Sequence, residues 1–347
     1  MSLTWNEIFA QYDALRAVRS SVGARRDALA RWIKQESSKP AVYLGCGSGY
    51  CLCVAGAVAM RITGRRPAAA VAAGDVLLKA EEYEPMLRGA PLIAPSRSGE
   101  TSEVVRAVRF ARERFDARTL GIIAAEDTPL AALSELTLAM PWAFDHSVCQ
   151  TRTVSCLYLA LMMLAAFAGD DEELLRALDT VIADGDRFLG AYAPEAARLA
   201  RQPWDEVVTL ADGAAYGLAM EGALAVVEIA GLSASAYHLL DVRHGPMSRI
   251  GSRTLVVALT DANPDGLATG LLRDIAGRGA QLVVCDAGHL VDEDCGAALS
   301  IRPKEPLPGA AAALQFLNLC QMLACRKAEE LGRDPDHPDG LDPWIRL

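Results

Sequence analysis

Two series of short apolar runs, separated by helix-length stretches, constrain the fold more than any other feature of this sequence. Such alternation predicts α/β domains, because parallel strands need a long crossover, usually a helix, between them. Residues 4–38 precede the first series and residues 151–195 precede the second, and both stretches have helical apolar spacing. The strand-like runs lie at 41–45, 68–73, 91–95, 119–124 and 136–140, and then near 206–211, 254–260, 281–286 and 298–301.

An internal repeat indicates that one fold occurs twice. Residues 43–57 (YLGCGSGYCLCVAGA) align without a gap on residues 209–223 (TLADGAAYGLAMEGA). Each copy has the pattern of a strand, a glycine turn and a helix that packs through small residues. The identical pairs are Leu44/Leu210, Gly47/Gly213, Tyr50/Tyr216, Leu52/Leu218, Gly56/Gly222 and Ala57/Ala223.

Length and charge set the domain count and exclude one class of partner. A chain of 347 residues, 52% hydrophobic and 22% charged, has room for about two domains. We expect N-terminal helices over 1–30, one domain over 31–185, a second over 186–332 and a tail over 333–347. The net charge of −10 argues against a nucleic-acid partner, whose binding site would be basic.

The cysteines and the apolar segments predict a cytoplasmic protein. The nine cysteines include no Cys-x-x-Cys pair, so we expect buried thiols in a reducing cytosol rather than disulfides or a metal site. The first residues lack the basic and apolar regions of a signal peptide. The longest apolar stretch, 154–168, is short for a membrane span and is typical of a core helix, so no membrane partner is expected.

The segment from Pro91 to Glu103 joins a strand-like run to a helical pattern through a loop rich in hydroxyls. Ser96, Ser98 and Thr101 lie in that loop, with Gly99 between them. Free backbone N–H groups at the start of a helix favour an anion, and the hydroxyls add further donors. The order strand, loop, helix places these donors at the carboxyl edge of a parallel sheet. We therefore predict a phosphate-binding cradle in this loop.

Two further polar loops each allow two interpretations. Residues 45–50 (GCGSGY) follow the first strand and form either a tight turn or the sugar-facing wall of a pocket; they lack the third glycine of a dinucleotide site. In a flavodoxin-like sheet the loops after the first and third strands are neighbours, which favours the wall. Residues 147–153 (SVCQTRT) precede a long apolar helix, which Thr151 or Thr153 could cap. The alternative is a polar lid over substrate hydroxyls.

The second half supplies candidate acid–base groups. Residues 214–230 form a strongly apolar helical pattern interrupted only by Glu221 and Glu228, which at about two turns apart would share one face. On such a helix we expect Glu228 to be shielded from water, which would raise its pKa toward that of a base active near neutral pH. His244 precedes Pro246, a residue that favours a helix start, so the imidazole is expected in a loop.

Five segments together resemble the sugar isomerase (SIS) domain family, above all the isomerase half of glucosamine-6-phosphate synthase and the single-chain phosphosugar isomerases and fructosamine-6-phosphate deglycases. Ser96–Thr101 is similar to the family's Ser-x-Ser-Gly-Glu-Thr phosphate loop, and Cys46–Tyr50 to its Cys-Gly-Thr-Ser-Tyr loop. Ser147–Arg152 resembles the Val-Ala-Ser-Thr-Lys lid. Ala219–Glu228 and Arg243–Pro246 resemble the catalytic helix and the histidine loop.

The resemblance covers about residues 30–340 and implies two tandem doubly wound, flavodoxin-like SIS domains, each with a five-stranded parallel sheet flanked by helices. It implies that Glu228 shuttles a proton between sugar carbons one and two and that His244 acts at the ring oxygen or leaving group. It also implies a sugar phosphate as substrate, no cofactor and a homodimer with shared active sites. The implied phosphate contacts are Ser96, Ser98, Thr101 and Ser48, and the implied sugar contacts are Cys46, Gly47, Arg97, Val148, Gln150 and Glu221.

The chain departs from the family pattern where the synthase uses lysines. Ala225 stands one turn before Glu228, and Pro343 stands in the tail, at positions where the synthase has lysine. Gly49 and Gln150 each replace a serine. Ring opening through a Schiff base is therefore poorly supported. The lysines of the chain are Lys34, Lys39, Lys79, Lys304 and Lys327, none in a candidate loop.

The leading hypothesis is a phosphosugar isomerase or deglycase that acts on a ketose or aminated ketose 6-phosphate by acid–base catalysis. One alternative is a glucosamine-6-phosphate deaminase, which would release ammonia. Another is a sensor that binds sugar phosphate without turnover, which the missing lysines favour and the paired glutamate and histidine oppose. Because these 347 residues contain no glutaminase pattern, we expect no glutamine-dependent amination by this chain alone.

Overall fold

The computed structural model describes residues 1–35 and 38–345 and divides them into two compact units. The first unit contains residues 6–176 together with 340–345, and the second contains residues 1–5 and 177–339. Each unit is built on a parallel sheet flanked by helices, as the alternating pattern predicts. Each sheet has five strands, as the family resemblance implies.

The first unit begins with helices and continues with alternating strands and helices. The predicted helical stretch 4–38 forms three helices, and its residues 36 and 37 lie outside the described residues. The elements are α1 Leu3–Phe9, α2 Gln11–Gly23, α3 Arg26–Lys34, β1 Ala41–Gly45, α4 Ser48–Ile62, β2 Ala68–Ala72, α5 Ala73–Leu78, α6 Ala80–Leu87, β3 Pro91–Ser96, α7 Ser102–Phe115, β4 Arg118–Ile123, α8 Pro129–Leu133, β5 Leu136–Ala139 and α9 Arg152–Gly169. Helix α10, Glu172–Ala200, follows.

The second unit repeats the alternation. Its elements are β6 Glu206–Leu210, α11 Ala215–Ala225, a π-helical turn Val226–Ala230, β7 Ser233–Tyr237, 3₁₀ turns at Leu240–Arg243 and Pro246–Arg249, β8 Thr254–Thr260, a 3₁₀ turn at Pro264–Gly266, α12 Leu267–Gly277, β9 Gln281–Asp286, β10 Leu299–Ile301 and α13 Gly309–Glu330. The sequence pattern missed β7, because this edge strand is nowhere fully buried and has no continuous apolar run.

The two sheets have the same connectivity. The first has the order β2-β1-β3-β4-β5 and the second the order β10-β9-β8-β6-β7, which is the same arrangement counted from the other edge. In each sheet the first strand of the unit lies between the second and the third. The loops after the first and third strands therefore emerge side by side at the switch point, where ligands bind in open α/β sheets.

The two copies of the sequence repeat occupy equivalent places. Gly47 and Gly213, which coincide in the alignment, both have left-handed φ values, 52° and 58°, that favour glycine. A Cβ atom on Gly56 would lie 2.6 Å from the Tyr43 ring, and one on Gly222 would lie 2.9 Å from the Cys320 sulfur. These glycines let each helix pack closely, as the small residues of the repeat predict.

Helix α9 occupies the core of the first unit. By length and composition it could span a membrane, but 83% of it is buried inside the protein. It packs against α2, α3 and α4, and its apolar side chains from Val154 to Phe167 are almost inaccessible to solvent. This confirms the prediction of a core helix. Eight of the nine cysteines are likewise buried as free thiols, and Cys46 is half-buried.

Candidate functional site

The predicted phosphate loop turns from the end of β3 into the start of α7. Ser96 Oγ accepts a hydrogen bond from the Gly99 N–H at 3.0 Å, and Ser98 Oγ accepts one from the Glu100 N–H at 3.1 Å. Each hydroxyl uses a lone pair for the loop, so its own proton remains for another acceptor. Together with the positive end of the α7 dipole, this arrangement favours an anion.

The phosphate loop shares one pocket with other predicted substrate contacts of the first unit. Cys46, Arg97 and Gln150, each predicted to contact the sugar, line this pocket together with Ser96, Ser98 and Thr101. The full lining is Cys46, Gly49, Pro95, Ser96, Arg97, Ser98, Thr101, Val104, Gln150, Leu157, Pro343 and Trp344. The structure thus brings the loops after β1 and β3 together, as the flavodoxin-like order predicts.

The other residues of the first unit that are predicted to contact the substrate are Gly47, Ser48 and Val148. They are close in sequence to residues that line this pocket. Ser48 begins α4 and is buried, and Gly47 precedes it; the two residues lie in sequence between the lining residues Cys46 and Gly49. Val148 contributes its carbonyl oxygen, which accepts a hydrogen bond from Arg97 at 3.0 Å. These three residues remain predictions as substrate contacts.

Arg97 has a structural use that the sequence did not reveal. Its side chain is only 4% exposed, and its guanidinium donates to the Ser147 carbonyl at 2.9 Å and to the Val148 carbonyl. It also donates to the Pro343 carbonyl and lies 5.9 Å from the centre of the Phe144 ring. One cation therefore joins the phosphate loop to residues 147–148 and to the segment 340–345.

Two buried carboxylates hold the loop that precedes α9. Asp145 Oδ2 accepts from the N–H groups of Thr151 and Thr153 at 2.7 and 2.8 Å, so Asp145 caps the helix. Thr153 instead donates its hydroxyl to the Ala143 carbonyl. Glu7 accepts from the Ser147 hydroxyl at 2.5 Å and from the backbone at 146 and 147. Helix α9 is therefore capped by the Asp145 carboxylate and not by a threonine hydroxyl.

The pKa of Asp145 is raised to about 6, first by burial and then by the negative charge of Glu7, against the opposing effect of its N–H partners. The pKa of Asp145 is higher in the folded protein than in the unfolded chain. Folding therefore takes up a proton at any pH between these two pKa values. The free energy of unfolding should therefore fall by about 2.5 kcal/mol as pH rises from 4 to 7. Unfolding of Asp145→Asn by urea at each pH should lack this contribution.

The exposed Glu113 on α7 offers a control for this measurement. Glu113→Gln should keep the wild-type dependence on pH. A pH profile of Asp145→Asn that parallels the wild-type profile would contradict the assignment.

Cys46 lies in the pocket as a protonated thiol. Burial raises the pKa of this thiol, and the nearby carboxylate of Glu103 raises it further. A thiol is a poor nucleophile compared with a thiolate, so Cys46 is suited to contact a ligand rather than to attack it.

The second unit holds the two predicted carboxylates in different environments. Glu221 lies on α11 and is 1% exposed, whereas Glu228 is half-buried beside the exposed Val227. The expectation that Glu228 is shielded from water is met only in part, and Glu221 is the fully buried carboxylate. The prediction that Glu221 and Glu228 share one helical face assumed α-helical geometry from 214 to 230. Residues 226–230 instead form a wider π-helical turn. Such turns occur frequently at functional sites.

His244 lies between the two 3₁₀ turns, as its position before Pro246 predicts. Its side chain is exposed, and its backbone N–H donates to the Asp241 carbonyl at 2.9 Å. Gly245 follows with φ of 118°, a conformation that favours glycine. The imidazole is thus presented to solvent within this unit, and its catalytic role remains a prediction.

Sequence reasoning missed several residues that shape the pocket. Trp344 and Pro343 line it, and Asp145 and Glu7 fix the loop that carries Gln150. Pro343, Trp344 and Glu7 meet their partners across a long stretch of chain, so no local motif marks them. Asp145 lies close in sequence to Thr151, but the capping interpretation assigned the helix start to threonine hydroxyls.

The comparisons with known proteins agree with this geometry. Residues 36–168 match the model of the SIS domain. A Streptomyces coelicolor protein, described as a candidate D-galactosamine-6-phosphate deaminase, is 30% identical over 267 residues, which are 71% of this chain and 67% of that protein. A glutamine–fructose-6-phosphate aminotransferase (isomerizing) of Rhizobium leguminosarum is 26% identical over 71% of this chain.

This chain spans only 42% of the length of the aminotransferase. Among solved structures, tagatose-6-phosphate ketose/aldose isomerase from Escherichia coli superimposes with a TM-score of 0.84, at 22% identity, over 100% of this chain and 96% of that one. This likeness concerns the fold. The family model, the relative at 30% identity and the sheet topology together show that the chain belongs to the SIS domain family.

Proposed function

We propose that this protein is a phosphosugar isomerase or deglycase that binds a ketose or aminated ketose 6-phosphate through the loop from Ser96 to Thr101. The observation that carries the proposal is the pocket in which Ser96, Ser98 and Thr101 meet Cys46 and Gln150. Hydroxyls and a helix N-terminus suit the phosphate. The thiol and the amide offer polar contacts for the sugar.

In the proposed reaction Glu228 is the base and His244 the acid. His244 protonates the ring oxygen as the ring opens, while the anomeric hydroxyl loses its proton to water and becomes the carbonyl. Glu228 removes the proton from carbon two of the open aldose, and the electron pair forms an enediol as the carbonyl oxygen gains a proton. The second hydroxyl then loses its proton, and Glu228 returns a proton to carbon one, which gives the ketose. In a deglycase the transfers would run in the opposite direction, from carbon one to carbon two of the aminated ketose, and would give an imine at carbon one. Water then adds to this imine, and the carbon–nitrogen bond breaks to release the amine and the aldose 6-phosphate.

The tandem arrangement and the assembly belong to the same proposal. The matching strand orders and the equivalent glycines support a second SIS domain in residues 186–332. The exposed position of His244 supports a homodimer in which each copy supplies its imidazole to the other. Glu221 and Gly47 are proposed as further sugar contacts, and the setting is proposed to be the cytosol.

A deaminase is the second candidate, and the relative at 30% identity favours it, since that protein is described as a deaminase of an amino-sugar 6-phosphate. The two activities differ in the nitrogen product. A deaminase releases ammonia, whereas a deglycase releases the amine that was joined to the sugar.

The test is proton NMR in D₂O with fructose 6-phosphate, tagatose 6-phosphate, glucosamine 6-phosphate, galactosamine 6-phosphate and a fructosamine 6-phosphate. We expect ketose–aldose conversion or amine release, with exchange of the proton on carbon one or two into solvent deuterium. Ammonia release would select the deaminase. Thermal stabilisation by these ligands without any product would select a sensor and overturn the enzymatic proposal.

A further inference from the structure

The loop of residues 144–151, called here the Gln150 loop, is held near both of its ends by buried carboxylates. Glu7 on α1 accepts from the Ser147 hydroxyl at 2.5 Å and from the Ser147 N–H at 3.3 Å. It also accepts from the His146 N–H at 2.6 Å. Asp145 accepts from two N–H groups at the start of α9. Gln150 therefore lies, along the chain, between the part of the loop that Glu7 holds and the part that Asp145 holds.

The Glu7 carboxylate is shielded from water. Glu7 lies on the buried side of α1 with Ile8 and is 3% exposed, and Ser147 is 1% exposed. A carboxylate remains in such a place only when hydrogen bonds and a positive charge offset its desolvation. Here Arg152 supplies the charge at 4.0 Å. Buried donors that lose their acceptor cannot turn to water instead, so removal of this carboxylate would release one end of the Gln150 loop.

The same end of the Gln150 loop is joined to the phosphate loop. The Arg97 guanidinium donates to the Ser147 carbonyl at 2.9 Å and to the Val148 carbonyl at 3.0 Å. Ser147 is thus the residue at which α1, the Gln150 loop and the phosphate loop meet. Gln150 lines one pocket together with Ser96 and Arg97. A shift of Ser147 would therefore change the position of Gln150 relative to the phosphate loop.

We propose that Glu7 is a positioning residue for sugar recognition, which acts through Ser147 to hold Gln150 at the place that a hexose phosphate requires. The proposal rests on the proposed function, since it takes the ligand to be a sugar phosphate that Gln150 contacts. Glu7 is not among the described residues that line the pocket. Inorganic phosphate needs only the hydroxyls of the phosphate loop and the start of α7, so its affinity does not depend on Glu7.

The first test compares Glu7→Gln with wild type by isothermal titration calorimetry. The ligands are inorganic phosphate, fructose 6-phosphate, tagatose 6-phosphate and a fructosamine 6-phosphate. Glutamine keeps the size of the side chain but replaces one acceptor oxygen by an amide donor. We expect the affinity for each ketose phosphate that binds wild type to fall about tenfold, and the affinity for phosphate to stay within about twofold of wild type. A tenfold loss is about 1.4 kcal/mol, which is within the range of one hydrogen bond.

A second measurement separates positioning from a general loss of structure. Gln150→Ala alone should lower the affinity for the ketose phosphates. If Glu7 acts through Gln150, the double variant Glu7→Gln/Gln150→Ala should bind them no more weakly than Gln150→Ala does. A loss that is spread through the fold would instead add in full to that of Gln150→Ala.

Two further variants complete the experiment. Ser155→Ala is the matched control, because the Ser155 hydroxyl on α9 donates to Gln11 at 2.6 Å and its loss removes a buried hydrogen bond outside the Gln150 loop. It should keep the wild-type ratio of ketose phosphate affinity to phosphate affinity. Ser147→Ala removes only the hydroxyl that donates to Glu7, and it should lower this ratio even if Glu7→Gln proves unfolded by circular dichroism.

The outcomes are distinct for the two proposals. A loss that is confined to the ketose phosphates and is absent from the Gln150→Ala background supports the positioning role. An unchanged ratio in folded Glu7→Gln and in Ser147→Ala, or full additivity with Gln150→Ala, overturns it and leaves the proposed function standing. If wild type binds none of the three ketose phosphates, the proposed function and the positioning role are overturned together.

Discussion

Glu228→Gln is expected to lower kcat for the sugar-phosphate substrate by about 10²–10⁴-fold, the usual contribution of a general base. Glutamine has nearly the same size but cannot accept and return a proton. KM should change little, because the phosphate contacts come from other residues. Glu228 is half-buried in a π-helical turn, so a substrate can reach its carboxylate. Initial rates from the NMR assay at saturating substrate measure the change.

The exposed Glu305 supplies a matched control for this substitution. Glu305→Gln should keep wild-type kcat, since it makes the same chemical change away from α11. Circular dichroism of Glu228→Gln should show a wild-type spectrum and melting profile. A folded Glu228→Gln enzyme with undiminished kcat would exclude Glu228 as the base.

The fold could be predicted from the sequence where burial is strong on both faces of a strand. Residues 41–45 and 254–260 are entirely buried, so they form continuous apolar runs that mark parallel strands. Strand β7 at 233–237 escaped prediction because it lies at an edge, where small and polar residues are tolerated. Sequence patterns therefore reveal the strands that are buried and miss the edge strand that is partly exposed.

The candidate site could be predicted only where its residues are contiguous. The loop from Ser96 to Thr101 carries its hydroxyls and its glycine in one short stretch, and the structure places four of its residues in one pocket. Trp344 joins that pocket from a distant part of the chain, and Glu7 on α1 accepts from the Ser147 hydroxyl in the loop before α9. Contacts between distant residues have no period or spacing that a sequence pattern can reveal.

The environment of Glu228 could not be predicted for a different reason. Helical periodicity assumes a constant rotation per residue, and a single π-helical turn breaks that assumption. Ala225 ends the α-helix and Gly231, with φ of 61°, ends the π-helical turn. A glycine commonly follows the end of a helix, but the widened turn before Gly231 has no sequence signal of comparable strength.

Gly99→Ala is expected to weaken inorganic phosphate binding by at least about tenfold, because it would disturb the phosphate loop from within. Gly99 has φ of 64°, and a Cβ atom there would lie 2.3 Å from Thr128 Oγ1 and 2.7 Å from Thr128 Cβ. Thr128 caps α8 through the Ala131 N–H at 3.2 Å and cannot move freely. The loop must therefore shift, and hydroxyls displaced by about 1 Å lose hydrogen-bond geometry worth about 1.5–3 kcal/mol for each charged partner.

The substitution Gly89→Ala is a control that separates the effect of the steric clash at Gly99 from the effect of backbone strain. It has the same φ of 64°, but a Cβ atom there would have nothing within 4 Å. Gly89→Ala should therefore cost only the left-handed strain of about 1–2 kcal/mol in stability and should bind phosphate like wild type. Calorimetric titration with phosphate and urea unfolding of both variants measure the two effects separately. If Gly99→Ala matches Gly89→Ala in phosphate affinity, the loop is not the anion site, because a clash that moves its serines would then have no effect on the ligand.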